Sequence, residues 1–348
     1  MAKKALITGI AGQDGGHLAV LLNQKGYEVY GILRGQSEAS HPRYQALKEE
    51  MPFLNIVLAD LLDLAALTRA CIEIRPDEVY NLAAISHVGY SFKDPILAAD
   101  VTGKGVVNML EAIRLAGLEK TCRFYQASTS EMFGGLAYNR PEKGYTEDST
   151  FHPRSPYGVA KTYGYWITRN YRESYGMFAV SGILFNHEGE RRGPEFVTRK
   201  VSKAVARIKL GKQDHIELGN MDAKRDWGYA GDYVEGMWRI LQQDPKDPKD
   251  YVLATGETHS VREFCEIAFS HIGIDLEWKG EGVNEQGVDK NTGIVYVKIN
   301  PEFFRPAEVD FLLGDPSKAE KELGWKRKVD FPGLVKLMVD HDLKVEAD

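Results

Sequence analysis

Short apolar runs alternate with stretches of helical periodicity through the first half of the chain. Ala5-Leu6-Ile7 reads as a buried strand running into Thr8-Gly9-Ile10-Ala11-Gly12-Gln13-Asp14-Gly15. Gly16–Lys25 follows as a helix with Leu18, Leu21 and Leu22 on one face, and Gly26 closes it. Glu28–Leu33 is a second strand, Asn55–Leu58 a third, and a helix over Leu64–Ile74 leads to a fourth, Glu78–Leu82. One helix over Ala98–Leu115 precedes a central strand at Phe124–Ala127. Another runs from Pro156 to about Tyr175, before a sixth strand at Phe178–Phe185. Strands separated by helices throughout predict an α/β fold with a doubly wound parallel (Rossmann) sheet, followed by a smaller, mixed α/β region. Gln242–Lys249 reads as a surface loop and Lys344–Asp348 as a frayed end.

The first turn carries Gly9, Gly12 and Gly15 in the spacing G-x-x-G-x-x-G, between a strand and a helix. Glycines there allow a tight turn and let a pyrophosphate approach the backbone at a helix N-terminus, which predicts dinucleotide binding. Arg34 ends the second strand, where an acid would suit a ribose 2′-hydroxyl, so NADP is expected over NAD. A second constellation spans Arg123–Lys161: a strand delivering Ser128, Thr129, Ser130 and Glu131, then Ser155-Pro156-Tyr157-Gly158-Val159-Ala160-Lys161. Tyr157 and Lys161 share a helix face, and an ammonium near a phenol lowers its reference pKa of about 10. Such a tyrosine takes a proton from a carbinol while a hydride leaves the same carbon. His87, at a strand's carboxyl end, is expected to be a hydrogen-bonded structural residue. Three basic segments follow the sheet: Glu190–Lys200, Lys224–Trp227 and Phe304–Asp310. Their arginines suggest a diphosphate clamp.

Composition narrows the classes. The 348 residues suffice for two lobes, and a net charge of −6 with no basic stripe argues against nucleic acid. Three widely spaced cysteines, Cys71, Cys122 and Cys265, make neither a disulfide framework nor a metal cluster and suit the cytoplasm. Neither a signal peptide nor a membrane span is expected.

With the glycine turn, Thr129, Tyr157 and Lys161 in hand, the chain resembles the extended short-chain dehydrogenase/reductases acting on sugar nucleotides. Within them it is most similar to the GDP-mannose 4,6-dehydratase family. The telling segments are Gly182–Glu188, Phe196–Lys200, Gly219–Gly228, Arg305–Asp310 and Leu313–Ala319. The resemblance implies an NADP-dependent hydro-lyase acting on a GDP-hexose, with Thr129, Ser130, Glu131, Tyr157 and Lys161 catalytic. Tyr157 would serve C4 oxidation and Glu131 the loss of water across C5 and C6, giving GDP-4-keto-6-deoxymannose. It implies cofactor contacts from Gly9, Gly12, Gln13, Asp14, Gly15, Arg34, Asp60, Leu61, Leu82, Ala83, Ala84, Tyr157, Lys161, His187 and Arg192. Substrate contacts would come from Ser86, Asn186, Val197, Lys200, Gly219, Arg225, Arg305 and Glu308, with no metal. The cofactor domain would span residues 1–185 with a returning segment near 229–256, and the sugar-nucleotide domain 186–228 and 257–348. A homodimer or homotetramer is expected. A dehydratase for another GDP-sugar such as a GDP-heptose, a 4-epimerase and a UDP-glucuronate decarboxylase remain alternatives. This chain departs from the family pattern in Gly16-His17 for a usual Ser-Tyr, Gly35-Gln36 for an Arg-Ser start, Ile85 for glutamine, and Gly189-Glu190 for Ser-Pro. These changes are expected to bear on sugar preference and, after Arg34, on assembly.

Overall fold

A computed structural model describes residues 2–35, 40–135, 141–303 and 311–347. The strands β1 (Lys4–Thr8), β2 (Glu28–Leu33), β3 (Asn55–Leu58), β4 (Glu78–Asn81), β5 (Arg123–Thr129) and β6 (Phe178–Leu184) form one parallel sheet. Six of the seven positions in β5 and all seven in β6 are buried, as sheets covered on both faces require. Beyond it lie the short β7 (Asn186–Glu188), β8 (Ile216–Leu218), β9 (Lys224–Arg225) and β10 (Trp227–Tyr229). Then β11 (Tyr251–Leu253) returns to the central sheet beside β6. The strand order across that sheet is β3-β2-β1-β4-β5-β6-β11, so its direction of winding reverses between β1 and β4. Such reversals open a crevice at the strands' carboxyl ends. The remaining strands are β12 (His259–Ser260), β13 (Leu276–Lys279), β14 (Gln286–Asp289) and β15 (Val295–Ile299); β13, β14, β15 and β8 make a second, mixed sheet.

Helices α1 (Gln13–Gln24), α2 (Pro42–Glu50), α3 (Leu64–Ile74), α4 (Val88–Lys93), α5 (Pro95–Ala99), α6 (Gly105–Leu115), α7 (Pro156–Tyr175) and α8 (Val197–Lys209) follow in chain order. They are completed by α9 (Ala230–Leu241), α10 (Val261–His271), α11 (Ser317–Leu323) and α12 (Phe331–Ala347). Helices α1 and α9 pack on one face of the central sheet, and α3, α6 and α7 on the other. A separate core joins α8, α10 and α12 to the second sheet. Ser155 caps α7 through Gly158 N at 3.0 Å, with Pro156 in the first turn, and Gly176 closes the helix in the left-handed region.

Two local differences from the periodicity have physical causes. The continuous helix expected over Ala98–Leu115 is interrupted by a π turn at Asp100–Lys104. There Thr102 accepts the Ile85 N–H at 3.0 Å, and Gly103 lies against Ala160 and Tyr163 of α7. Helices α2 and α4, which the hydrophobic pattern does not announce, each start on a histidine cap: His41 accepts Arg43 N, and His87 accepts Tyr90 N.

Candidate active site

At the sheet's reversal, the turn after β1 closes tightly. Gly9 has φ +72° and a Cβ there would stand 2.9 Å from Ala83 N, while one on Gly15 would overlap the Gly9 carbonyl oxygen. Only glycine lets these backbones meet. The turn opens into one cleft of about 1270 Å³, running from Arg34 and Asp60 past Gly12, Ala83 and Tyr157 to Lys200 and Arg225. Every predicted site residue among the described ones lines this cleft. Arg305 and Glu308, with the rest of the third basic segment, lie outside the described residues, as does Gln36.

The catalytic candidates converge where β5 ends. Thr129 closes the strand, and its Oγ1 accepts Glu131 N at 3.3 Å, turning Ser130–Met132 into one 3-10 turn that buries Glu131. Across from it Tyr157 N donates to Ser91 Oγ at 3.3 Å, and the Thr129 hydroxyl lies beside the phenol. The expected lowering of the Tyr157 pKa is absent. Burial lifts the phenol above its ordinary value, Thr129 works the other way, and the Glu131 charge adds to the rise. Lys161 does not offset this, because its Nζ lies 5.8 Å from the Tyr157 ring centroid and donates instead to Ala127 O at 2.6 Å. Burial lowers Lys161 itself to about 8.

A buried polar chain supports that lysine across three strands. Thr8 Oγ1 donates to Asn81 Oδ1 at 2.7 Å and accepts the Leu82 and Ala83 N–H groups. Asn81 Nδ2 donates to Gln126 Oε1 at 2.8 Å, and Gln126 Nε2 donates to the same Ala127 carbonyl that Lys161 reaches. The register of β1, β4 and β5 brings Thr8, Asn81 and Gln126 side by side.

On the facing wall, His187 Nε2 lies 2.8 Å from Asp14 Oδ2 and its Nδ1 2.7 Å from Phe185 O, with the ring stacked on Tyr233. Burial opposes the imidazolium, but Asp14 more than reverses this and raises His187 above its ordinary pKa. Burial likewise opposes the Asp14 charge, and His187, Gln13 and Arg192 hold that carboxyl well below the usual range. Arg192 lies over the Phe196 ring at 3.6 Å, its Nε 2.9 Å from buried Glu188 Oε2 but poorly aimed for a hydrogen bond. Lys200 sits over Phe303 at 3.5 Å and donates to Glu217 O.

The clamp is narrower than the basic segments suggest. Arg192, Lys200 and Arg225 line the cleft; Arg191 pairs with Glu50, and Arg199 Nη2 holds Asp342 at 2.7 Å, both outside it. His87 caps α4, as expected of a structural histidine, and also borders the cleft. Among the described residues, Ser128, already marked as one of the strand's hydroxyls, has a buried Oγ with no hydrogen-bond partner, and Arg43, which the sequence does not single out, has a buried Nε with none. Arg43 reaches the Arg34 end of the cleft only because α2 turns back over β2 and β3. The glycine cradle and this pair of guanidinium groups fit a dinucleotide. Among the described residues no group of His, Cys, Asp and Glu is arranged to hold a metal ion.

Comparison with known proteins agrees with this geometry. A GDP-mannose 4,6 dehydratase of Drosophila melanogaster is 50% identical over 348 residues, covering 99% of this chain and 87% of its own length. The GDP-mannose 4,6-dehydratase of Vibrio cholerae is 50% identical over 359 residues, covering 99% and 95%. Among solved structures, the UDP-glucose 4-epimerase of Thermus thermophilus, in complex with NAD, superposes with a TM-score of 0.78 at 28% identity, over 97% of this chain and 98% of that one. The sequence pattern of one family, described as GDP-mannose 4,6 dehydratase, matches residues 6–338, and the chain belongs to that family.

Proposed function

We propose that this chain converts GDP-mannose to GDP-4-keto-6-deoxymannose with NADP as its cofactor, in deoxysugar nucleotide biosynthesis. The observation that carries the reading is the meeting of Glu131, Thr129 and Tyr157 at the end of β5, in the cleft that also holds the glycine turn. A carbinol oxidation needs only the tyrosine; the buried carboxylate beside it supplies what dehydration adds. Tyr157 takes the C4 hydroxyl proton, with Thr129 beside the phenol and Lys161, held on the Ala127 carbonyl, toward the nicotinamide ribose. The bound nicotinamide supplies the hydride acceptor and later donor, and its oxidised form adds a positive charge that favours the phenolate. A C4 ketone acidifies the C5 proton, which Glu131 removes. The same carboxyl, now protonated, delivers a proton to the departing C6 hydroxyl, with Ser130 positioning it, so that water leaves. The hydride would return to C6, and a solvent proton taken up at C5, balanced by release of the one Tyr157 took from C4, completes the 4-keto-6-deoxy sugar.

Similarity to the named dehydratases supports a GDP-sugar substrate, with Arg192, Lys200 and Arg225 toward the diphosphate and Ser86, Asn186, Val197 and Gly219 around the remainder. The Thermus thermophilus relative, crystallised with NAD, supports a nicotinamide dinucleotide. Preference for NADP rests on Arg34 and Arg43 at the end where a 2′-phosphate would lie. The three free, buried cysteines support a reducing, cytoplasmic setting, and among the described residues no helix is long and apolar enough to cross a membrane. A homo-oligomer is part of this reading, supported by an exposed apolar face on α7.

Incubation with GDP-, UDP- and dTDP-hexoses, read by mass spectrometry for loss of water, tests the assignment; turnover is expected with GDP-mannose. Release of carbon dioxide from UDP-glucuronate, or epimerisation without loss of water, would overturn it. Binding of 2′,5′-ADP no tighter than ADP would overturn the cofactor preference, and Arg34→Ala is expected to erode it.

A further inference from the structure

Helix α1 meets the chain around the end of β7 twice, at the cleft through His187 and behind its wall through the residues that follow the strand. At the cleft, Gln13 Nε2 donates to His187 O at 3.0 Å and Asp14 pairs with the His187 ring. Behind it, Gly16 and His17 of α1 face Gly189, Glu190 and Arg191, none of which lines the cleft. These include the positions where the chain replaces the family's Ser-Tyr and Ser-Pro, so the two departures, remote in sequence, touch each other. That places them behind the cleft wall rather than in its lining. A Cβ on Gly16 would stand 3.2 Å from Arg191 Cδ, and one on Gly189 3.5 Å from His17 Nε2 and 3.4 Å from the Tyr229 ring.

The His17 side chain is only 10% exposed and stands edge-on to Tyr229, with its Nε2 3.8 Å from Glu190 Oε1. The Tyr229 hydroxyl donates to that same oxygen at 3.4 Å. Among the described residues, neither His17 Nε2 nor Glu190 Oε2 has a hydrogen-bond partner, an unusual state for buried polar atoms. The Glu190 backbone is held separately, its carbonyl accepting from Arg199, which is anchored on Asp342. The side chain of Glu190 thus faces His17 of α1 and Tyr229, while its backbone belongs to the framework of α8 and α12.

We propose that His17 and Glu190 are a positioning pair that sets the pose of α1 against the segment carrying His187 and Arg192, and thereby how tightly the dinucleotide is held. The pair rests on the reading of the cleft as a dinucleotide site. Because α1 is rigid over one turn, a shift at His17 is transmitted to Gln13 and Asp14, whose partner His187 borders the cleft. The pair touches no reacting atom, so its loss weakens cofactor binding and leaves the chemical step at saturation nearly unchanged.

The test measures NADP+ and NAD+ dissociation constants, kcat at saturating cofactor, and thermal midpoints. His17→Ala and Glu190→Ala should each weaken cofactor binding by about 5- to 20-fold, with the double variant no weaker than the worse single one. Glu190→Gln should retain most of the affinity, and kcat should stay within about twofold, as a residue acting only through binding requires. A swap toward the family pattern keeps the test independent of folding failure. Gly16→Ser with His17→Tyr alone should weaken binding, and adding Gly189→Ser with Glu190→Pro should restore it. Unchanged affinity in the single variants, additive losses, or a completed swap that fails to restore binding would overturn the pair. A wild-type protein that binds neither dinucleotide would instead overturn the cofactor reading beneath it.

Discussion

Lys161 sits where an ammonium is poorly accommodated, 3% exposed beneath β5, with its pKa lowered from 10.5 to about 8 by burial. That gap corresponds to roughly 3 kcal/mol against the folded state near neutrality. Lys161→Met should therefore stabilise the fold by about 1–3 kcal/mol while abolishing turnover. The Ala127 carbonyl would not be orphaned, since Gln126 Nε2 still reaches it at 2.8 Å. The sign can be checked by pH. Between about 8 and 10.5 the unfolded chain holds this proton and the folded wild type does not. Wild-type stability then rises with pH relative to the variant, and denaturant midpoints should converge. Glu131 makes the complementary prediction. Glu131→Gln should slow water loss by about 10²–10⁴-fold while hydride transfer persists, seen as absorbance of the reduced cofactor; dehydration near the wild-type rate would exclude its role. The sequence displays these residues but not their electrostatics. Helical spacing places Tyr157 and Lys161 on one face, yet burial against the sheet, which no spacing reveals, raises the phenol and lowers the ammonium.

At the scale of elements, strand and helix order was legible because buried parallel strands leave apolar runs and α1 leaves a stripe of leucines. The glycine turn was legible for the same reason: its residues answer to backbone sterics alone. Gly15→Ala should cost about 1–3 kcal/mol, since the new methyl overlaps the Gly9 carbonyl, and should also spoil cofactor binding. Gly26→Ala, at φ +80° with nothing within 4 Å, should cost about 1–2 kcal/mol and leave cofactor affinity intact. Thermal midpoints paired with cofactor titrations separate the two. Less legible were features set by distant partners. The π turn before α6 depends on Thr102 meeting Ile85, and the sorting of Arg192 from Arg191 and Arg199 depends on Glu50 and Asp342. No local window contains those partners.

Over the whole molecule, α7 carries the catalytic candidates on one face and an exposed apolar stripe on the other. Tyr157 and Lys161 project from its buried face, whereas Val159, Tyr163 and Trp166, at helical spacing, are 55%, 50% and 51% exposed on the outer one. Ile96 of the adjoining α5, 75% exposed, extends the apolar stripe. Large contiguous apolar faces of this kind mark interaction sites. A two-fold pairing of α7 with α7 would bury the same residues on both copies, as isologous interfaces do. The protein is expected to elute with at least twice the chain mass, and Tyr163→Glu with Trp166→Glu to yield monomers. Light scattering on both, with circular dichroism as the control for folding, decides the matter. A monomeric wild type at micromolar concentration would exclude pairing through α7. Because α7 also presses on the π turn through Ala160 and Tyr163, the monomeric variant should lose activity more than stability. Bracing of the Tyr157 helix by a second copy would produce that asymmetry, and equal losses would place the stripe outside the catalytic framework.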